Sequence, residues 1–429
     1  MNKKIEKQLN NAKKASASFG LLSHAQRVLI LKNIAKELRK NKKLIIQANV
    51  KDLKKISLGH SPTGEAPNNP MRDRLVLNNG RIGGMVKEIE NLIKIPDPIG
   101  EIFDCRNRFG LKICKKRVPI GVIGVIYESR PNVTTDVAAI CIKSGNGVIL
   151  KGGEEARESY IALHKIIRKA LILSKTNPEI VQFIDPKIKN SVSVLDIISA
   201  NGLVDVVIPR GGSGLINFVR KNATVPVIET GAGVCHTYVD DEAKLDLSAK
   251  IIFNAKTQRP SVCNALDTLL VHKKIIKAFL PKIAKLLAKK NVEIFADTES
   301  LKTLKNIYPK NLLKVAKTSD FGREFLSQKM SIKIVSDIDE AIKFIGKYSS
   351  KHSEAILTEN KKKAERFLRE IDAAVVYVNA STRFSDGAVF GLGSEIGIST
   401  DKIHARGPMG PNEMTTYKWI VSGKYNTRK

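Results

Sequence analysis

The sequence is poor in aromatic side chains and lacks long apolar runs. Aromatic residues make up 5% of the 429 residues, and none of them alternates with a basic run. No stretch of about 18 consecutive apolar residues occurs, which excludes a transmembrane helix. The basic N-terminus is not followed by an apolar segment, which argues against a secretory signal peptide. We therefore expect a cytoplasmic protein without a membrane partner.

Cysteine is also scarce. The chain has 5 cysteines, an odd number, and a chain of this length does not need disulfides to support a small core. No two of them stand at the spacing of a zinc-ligand pair. We expect a reducing compartment and no metal site.

Acidic residues are outnumbered: 42 Asp and Glu stand against 73 Lys and Arg, so the net charge is +31. The basic residues are spread over helical stretches such as HKKIIKAFLPKIAKLLAKK, where they occupy solvated positions between apolar ones. No nucleic-acid motif accompanies the charge, so we expect no nucleic-acid partner. A basic nucleic-acid-binding protein nevertheless remains an open alternative. Positive potential can equally attract small anionic ligands.

Short β-branched segments bounded by glycine alternate with helical periodicity from Arg117 onward. The predicted strands are VPIGVIGVIYE, GVILKGG, SVSVL, DVVIP and TVPVIET. A second segment of the same kind runs from about Ala243 to Asn379, and residues 1 to about 55 have the spacing of amphipathic helices. Alternating strands and helices predict a doubly wound α/β architecture with a mainly parallel sheet.

A polar loop carries Cys263. It lies in NAKTQRPSVCN, between a predicted helix and a predicted strand, whereas a structural cysteine belongs on an apolar face. The neighbouring Arg259 could favour the thiolate, the form that acts as a nucleophile. From these residues alone, a catalytic cysteine and an ordinary one both remain open.

Polar residues also follow the predicted strands. Asn132 stands in GVIYESRPNVT before a helix, where its amide could donate to an oxyanion or could cap the helix. Lys151 ends the strand of GVILKGG, and Gly211, Gly212 and Gly214 form a strand-to-helix turn that could face a phosphate. A complete GxGxxG motif is absent, which disfavours an ordinary Rossmann dehydrogenase.

Together these segments resemble one family. The motifs SRPNVT, ILKGG, GGSG, VIETGAGVCH and NAKTQRPSVCN occur in the order seen in the aldehyde dehydrogenase superfamily, and the resemblance extends to HARGPMGPNEMTTYKW. It implies an α/β fold with a Rossmann-like cofactor domain, an α/β catalytic domain and a β-hairpin oligomerisation arm. The implied ranges are 1–103 and 119–232 for the cofactor domain, 233–391 for the catalytic domain, and 104–118 and 416–429 for the arm and tail. Alternation at Phe109, Leu111 and Ile113 predicts the hairpin independently.

The resemblance implies an activity as well. It is closest to the branch that reduces L-glutamyl 5-phosphate with NADPH to L-glutamate 5-semialdehyde and phosphate, the second step of proline biosynthesis. A homo-oligomer and functional coupling to glutamate 5-kinase are expected. A hydrolytic NAD(P)-dependent aldehyde dehydrogenase remains the alternative within the superfamily.

The resemblance also assigns roles to residues. Cys263 is the nucleophile and Asn132 the oxyanion donor. Glu229 stands where hydrolytic members keep a general base, so its direct role is open in a reductase that needs no activated water. The expected cofactor-binding residues are Lys151, Gly211, Gly212, Ser213, Gly214 and Glu324. The expected substrate clamps are Arg259, Arg130 and Arg383, because guanidinium groups bind carboxylate and phosphate through paired hydrogen bonds.

Overall fold

The computed structural model describes residues 1–57, 70–188 and 190–428. The chain divides into two compact units. The first unit comprises Met1–Thr230, Phe390–Gly397 and Pro408–Lys429, and the second comprises Gly231–Val389 and Ile398–Gly407. Among the described helices, none combines the length and the apolar character that crossing a bilayer requires.

The α-helices are numbered in chain order. They are α1 Lys3–Phe19, α2 His24–Lys40, α3 Lys42–Ser57, α4 Pro70–Leu75, α5 Asn79–Lys94, α6 Val133–Lys143, α7 Arg157–Leu173, α8 Asn190–Ile198, α9 Ser213–Asn222, α10 Leu245–Thr257, α11 Ile276–Ala288, α12 Thr298–Leu304, α13 Ile338–Tyr348 and α14 Lys361–Glu370.

The strands follow the same convention. They are β1 Ile102–Arg108, β2 Leu111–Pro119, β3 Val122–Tyr127, β4 Gly147–Gly152, β5 Val181–Phe183, β6 Val206–Arg210, β7 Cys235–Val239, β8 Leu266–His272, β9 Glu293–Ala296, β10 Leu313–Val315, β11 Lys329–Val335, β12 Ser353–Leu357, β13 Val375–Val378, β14 Ile398–Ser399, β15 Gly407–Pro408 and β16 Thr415–Ser422.

A parallel sheet of order β5-β4-β3-β6 forms the centre of the first unit. Successive side chains of β3 point to opposite faces, and both sets are buried. Helices α1 and α8 cover one face, where Ile5 and Val194 share an apolar core with Ile126. Helices α6 and α7 pack on β4 and β5. Because β4 and β6 flank β3, the carboxyl end of β3 is where the strand order reverses, the usual ligand-binding edge of such sheets.

The hairpin predicted around Phe109 is present. Strands β1 and β2 are joined by Phe109 and Gly110, which have φ values of 52° and 77°, the left-handed pair of a tight hairpin turn. Strand β16 pairs antiparallel with β2 and completes a three-stranded sheet. A disulfide joins Cys105 to Cys114 across β1 and β2. Chain length gave no reason to expect this bond; it depends on the hairpin register, which places the two cysteines opposite each other.

The second unit is built on a parallel sheet of order β10-β9-β11-β8-β7-β12-β13. Leu269 on one face of β8 packs with Phe279 of α11, while Leu270 on the other face packs with Ile345 of α13 and Phe367 of α14. Helices therefore cover both faces of the sheet. The predicted α/β architecture is confirmed.

Two of the predicted strands are wrong. SVSVL forms part of α8, in which Val194, Ile197 and Ile198 are buried, whereas Val192 and Leu195 are 40% exposed. The buried residues recur at the spacing of a helix. A run of five residues is too short to distinguish this pattern from the alternation of a strand. TVPVIET forms no strand and contributes only isolated bridge residues, such as Val227 paired with Val207, because the neighbouring proline has no N–H to donate.

The helical layer of the second unit provides a test of stability. We expect Leu287→Ala in α11 to lower the free energy of unfolding by about 2–5 kcal/mol, because Leu287 is fully buried and its truncation leaves a cavity. Urea unfolding followed by circular dichroism measures the change. The matched control is Leu247→Ala in α10, where the side chain is 52% exposed and the cost stays below about 1 kcal/mol. Equal losses for the two variants would contradict this description of the core.

Candidate active site

The loop between α10 and β8 carries Cys263, whose side chain is half-buried. The backbone of Gly233 lies directly against the backbone of Cys263. A Cβ added to Gly233 would overlap the carbonyl group of Cys263. The Sγ of Cys235 donates to the same carbonyl oxygen at 3.2 Å. Burial holds the pKa of the Cys235 thiol well above its usual range, so this second cysteine is an inert support.

Asn264 anchors the loop on the other side of Cys263. Its Nδ2 donates to the carbonyl oxygen of Ser385 at 2.7 Å, and its own carbonyl oxygen accepts from Thr382 Oγ1 at 2.7 Å. The Oδ1 accepts from Nη1 of Arg383. Asn264 is buried, so losing any of these partners would leave a polar group unpaired, at a typical cost of about 1–3 kcal/mol. The residue after the cysteine is therefore rigidly held.

Two guanidinium groups lie near the Cys263 thiol. Arg383 also donates from Nε to Oε1 of Gln258 at 2.8 Å, which ties it to the start of the loop. Burial, and then the positive charge of Arg259, lowers the pKa of Arg383, while Cys263 acts in the opposite direction. Arg383 is thus within electrostatic reach of both Arg259 and Cys263. A cationic surrounding of this kind favours a thiolate and could also bind an anionic ligand.

Glu324 is tied to this site through backbone contacts. Its Oε1 accepts from the N–H of Gly233 at 2.9 Å, and the next residue, Phe325, donates its N–H to Asp267 Oδ1 at 3.0 Å. Burial raises the pKa of Asp267 to about 6, although the neighbouring Lys256 opposes the shift. Glu324 therefore positions the glycine that lies against Cys263, a contact that the motif did not indicate.

In the first unit, charged side chains gather at the carboxyl ends of β3, β4 and β6. Lys151, at the end of β4, donates from Nζ to the carbonyl of Gly152 at 2.8 Å, and burial lowers its pKa to about 8. Gly212 caps α9, whose first residue is Ser213, and its N–H donates to Glu128 Oε2 at 2.9 Å. The carboxylate of Glu128 thus lies at the positive end of the α9 dipole.

The glycines of this turn differ in their surroundings. A Cβ at Gly211 would collide with Glu128, whereas one at Gly214 would meet no atom within 4 Å. The backbone of the turn is therefore open on the side of Gly214, and several N–H groups of the first helical turn can face a ligand.

Asn132 precedes α6 but does not cap it. Its backbone is helical and its side chain makes no capping bond. Instead, Nδ2 donates to Asp136 Oδ2 at 2.7 Å, one helical turn further along. The cap interpretation, which the local sequence left open, is therefore wrong, and the amide is held by a side chain of its own helix.

The remaining predicted residues belong to the first unit. Arg130 lies half-buried in the turn between β3 and α6, two positions before Asn132. Glu229 is 21% exposed and lies 3.8 Å from Nε of Arg220. The structure thus groups Cys263 with Arg259, Arg383 and Glu324 in the second unit, and places Asn132, Arg130, Lys151, Glu229 and the glycine turn in the first.

Several supporting residues were not predicted from the sequence. They are Cys235, Asn264 and Asp267 around the nucleophile loop, and Asp136 beside Asn132. A signal existed for two of them, because Asn264 directly follows the cysteine and Asp136 stands four positions after Asn132, the spacing of helix neighbours. Cys235 and Asp267 lie on strands, and only the sheet brings them to the loop.

Comparison with known proteins agrees with the fold. The sequence model of the aldehyde dehydrogenase family matches residues 84–300. An acetylating aldehyde dehydrogenase from Geobacillus thermoglucosidasius has the same fold, with a TM-score of 0.72 at 17% identity over 99% of this chain and 98% of that one. The match of the family model over half of the chain, together with this fold, defines an oxidoreductase of the aldehyde dehydrogenase class.

Relatives of higher sequence identity identify the family within this class. The gamma-glutamyl phosphate reductase of Chlorobium phaeobacteroides is 45% identical over all of both chains, and that of Dehalococcoides mccartyi is 47% identical over 99% of this chain and 98% of its own. The crystal structure of the gamma-glutamyl phosphate reductase of Thermotoga maritima superposes with a TM-score of 0.90, at 45% identity over 99% of this chain and 100% of that one. The chain belongs to the gamma-glutamyl phosphate reductase family, the glutamate-5-semialdehyde dehydrogenases of proline biosynthesis.

The close approach of Gly233 to Cys263 yields a prediction. Gly233→Ala cannot be accommodated without moving the backbone that carries the thiol. We expect reductase activity to fall at least about tenfold, since a misplacement of about 1 Å can cost as much as 10²-fold. Steady-state rates of the purified variant measure the loss.

Gly346→Ala is the matched control in the same unit. A Cβ there meets no atom within 4 Å, and Gly346 lies inside α13, where alanine is the better helix former. Its activity should stay within about twofold of the wild type, and its stability should rise by up to about 1 kcal/mol. Full activity in Gly233→Ala would show that the approach of Gly233 to Cys263 does not position the thiol.

Proposed function

We propose that this enzyme reduces L-glutamyl 5-phosphate to L-glutamate 5-semialdehyde and phosphate through a thioester on Cys263, with NADPH as the reductant. Membership of the gamma-glutamyl phosphate reductase family supports the reaction. The observation that carries the mechanism is a half-buried thiol on a rigid loop that also carries Arg259, within electrostatic reach of the Arg383 guanidinium group.

Cys263 begins the reaction as a thiolate. Its sulfur attacks the carbonyl carbon of the acyl phosphate, the C–O bond to phosphate breaks, and phosphate leaves with the bonding electron pair. The N–H groups of Asn132 and of the Cys263 backbone donate to the oxyanion that forms during the attack. After the thioester is reduced, the hemithioacetal collapses, the aldehyde departs and the thiolate is restored. A water-activating base has no part in this sequence, so Glu229 is assigned no catalytic step.

The family supports a nicotinamide cofactor, which supplies a hydride when bound. The first unit fits a dinucleotide phosphate, because the backbone of Gly212 and Gly214 is open at the N-terminus of α9, where the helix dipole favours an anion. Lys151 would add a positive charge at the neighbouring strand end. Glu128 is exposed, so a turn of its side chain would release the N–H of Gly212 to a phosphate oxygen. Glu324 would meet the nicotinamide ribose, as in the superfamily pattern.

Arg259 and Arg383 are proposed to hold the anionic groups of the substrate, with Arg130 as a third clamp. A substrate with a carboxylate and a phosphate needs cationic partners, and planar guanidinium groups bind both through paired hydrogen bonds. The two arginines beside Cys263 differ in surroundings, since Arg259 is exposed whereas Arg383 is half-buried and bonded to Asn264 and Gln258. Arg383 would therefore serve both the substrate and the loop.

Further proposals concern the assembly and the domains. The sheet of β1, β2 and β16 would act as an oligomerisation arm, making the enzyme a homo-oligomer. The arm would span 104–118 and 416–429, the cofactor domain 1–103 and 119–232, and the catalytic domain 233–391. The enzyme would work in the cytoplasm and be functionally coupled to glutamate 5-kinase.

The mechanism predicts that phosphate is required in the reverse direction. We expect NADP⁺ reduction with L-glutamate 5-semialdehyde only when phosphate or arsenate is present, because the thioester needs an acceptor. Cys263→Ala should lower kcat by at least about 10⁴-fold, since it removes the nucleophile itself. Spectrophotometry of NADPH formation, with and without phosphate, measures both effects.

Cys141→Ala is the control for removal of a thiol. Burial raises the pKa of Cys141, which makes it unreactive, and the variant should retain activity within about threefold. Turnover of wild-type enzyme without phosphate or arsenate would instead indicate a hydrolytic aldehyde dehydrogenase, in which Glu229 would act as the base. An active Cys263→Ala variant would exclude the thioester.

Substitutions of Arg259 and Arg383 should have different kinetic effects. Arg259→Lys should raise KM for the semialdehyde by about tenfold with kcat nearly unchanged, because a clamp binds substrate and transition state alike. Arg383→Lys should also lower kcat by about tenfold or more, because lysine cannot reproduce the bonds to Asn264 and Gln258 that hold the loop. Arg369→Lys, at a side chain that is 76% exposed, controls for the loss of a guanidinium group. Identical effects of the first two variants would refute the double role of Arg383.

A further inference from the structure

The amide of Asn132 can take either of two orientations. The amide oxygen and nitrogen of asparagine are similar in size, so only its hydrogen bonds decide which one occupies a given place. In this structure Nδ2 lies 2.7 Å from Asp136 Oδ2. That contact suits the NH₂ group as donor and would be repulsive for the amide oxygen facing a carboxylate oxygen. One of the two N–H bonds is therefore engaged, and the plane of the amide is set.

Asp136 itself belongs to a pair of carboxyl groups. It lies in the first turn of α6, is 6% exposed and is hydrogen-bonded to Glu88 of α5, the helix that packs against α6. Ser394 donates from Oγ to Glu88 Oε2 at 3.4 Å, and the positive charge of Arg210 acts on Asp136. Two carboxyl groups in hydrogen-bond contact share a proton, because two adjacent negative charges repel strongly when water is excluded.

The surroundings of Asp136 favour its protonated form. Burial, and then the negative charge of Glu88, raises the pKa of Asp136 well above its usual range. The neutral acid donates its O–H to Glu88 and still accepts from Asn132 through the other oxygen. The hydrogen bonds of the pair are thereby satisfied without a second buried charge.

We propose that Asp136 is the positioning residue that keeps the NH₂ group of Asn132 in the donor orientation. This inference rests on the proposed role of Asn132 as oxyanion donor. A flipped amide would present its oxygen to the developing negative charge and oppose the reaction. An acceptor held at Asp136 prevents the flip, because the amide oxygen of Asn132 would be repelled there.

The key variants are Asp136→Leu and Asp136→Asn. Leucine removes both hydrogen bonds, so kcat should fall by about tenfold while KM stays within about twofold, the pattern of a loss confined to the transition state. Asparagine can accept from Asn132 through its oxygen and donate to Glu88 through its NH₂, as the neutral acid does. Asp136→Asn should therefore retain kcat within about threefold, because it keeps the acceptor for the NH₂ group of Asn132.

A double variant tests whether Asp136 acts through Asn132. Asn132→Ala alone should lower kcat by about 10²- to 10³-fold, the typical loss of one oxyanion donor. Adding Asp136→Leu to Asn132→Ala should cause no further loss of kcat, because there is no amide left to orient. The phosphate-dependent assay with NADP⁺ and the semialdehyde applies to all variants, and urea unfolding verifies that each is folded.

The control is Asp205→Asn. Asp205 binds the N–H of Val122 at 2.7 Å at the amino end of β3, the opposite end from Asn132. It should leave kcat within about twofold. If Asp136→Leu fails to fold, Asp136→Ala takes its place in the wild-type and Asn132→Ala backgrounds, since it also removes the acceptor for Asn132.

The outcomes separate the inference from the proposed function. Equal loss from Asp136→Leu in the wild-type and Asn132→Ala backgrounds would overturn the positioning role while leaving the oxyanion role of Asn132 intact. A loss in Asp136→Asn as large as that in Asp136→Leu would show that the acceptor at position 136 does not position Asn132, and would overturn the inference. Full activity in Asn132→Ala would remove the oxyanion role and the positioning role together.

Discussion

The contact between the backbone of Gly233 and the carbonyl group of Cys263 is the constraint on which the second unit depends. A side chain at position 233 would displace the loop, and the N–H of the same glycine is bonded to Glu324. Cys235, two residues later, donates to the same carbonyl. The start of β7 thus forms a surface against which the Cys263 loop packs. Asn264 binds the other side of the loop through its hydrogen bonds. The irregular loop is therefore fixed from both sides.

Buried polar groups recur as the devices that hold the proposed reacting groups. Asn264 holds Arg383, Asp267 and Lys256 support the segment of Glu324, and Asp136 with Glu88 holds Asn132. Breaking any of these sets costs free energy, because it leaves a buried donor or acceptor with neither a protein partner nor water to bond to. Such sets add little to net stability when complete, but they allow only one arrangement of the groups that they bind. Precision in the proposed mechanism therefore depends on side chains that do not themselves react.

Much of the fold was predictable. The parallel sheets, the opening helices and the hairpin at Phe109 follow from apolar periodicity and turn chemistry, which are local properties. The errors also have local causes: in SVSVL a helical face was too short to recognise, and in TVPVIET a proline limited the pairing. The disulfide between Cys105 and Cys114 escaped prediction because it depends on strand register. Family resemblance supplied the reaction and the names of the expected site residues, which spacing alone did not.

The sequence by itself determined the α/β class, the family and the loop that carries Cys263, because motif order and apolar periodicity are local properties of the sequence. Only the tertiary structure decided what surrounds each group. It showed that Asn132 bonds to Asp136 instead of capping its helix, and that Glu324 binds the N–H of Gly233. Orientation of an amide or burial of an acid depends on neighbours that are distant in sequence, such as Glu88 for Asp136. Contacts of that kind exist only once the helices and sheets have packed.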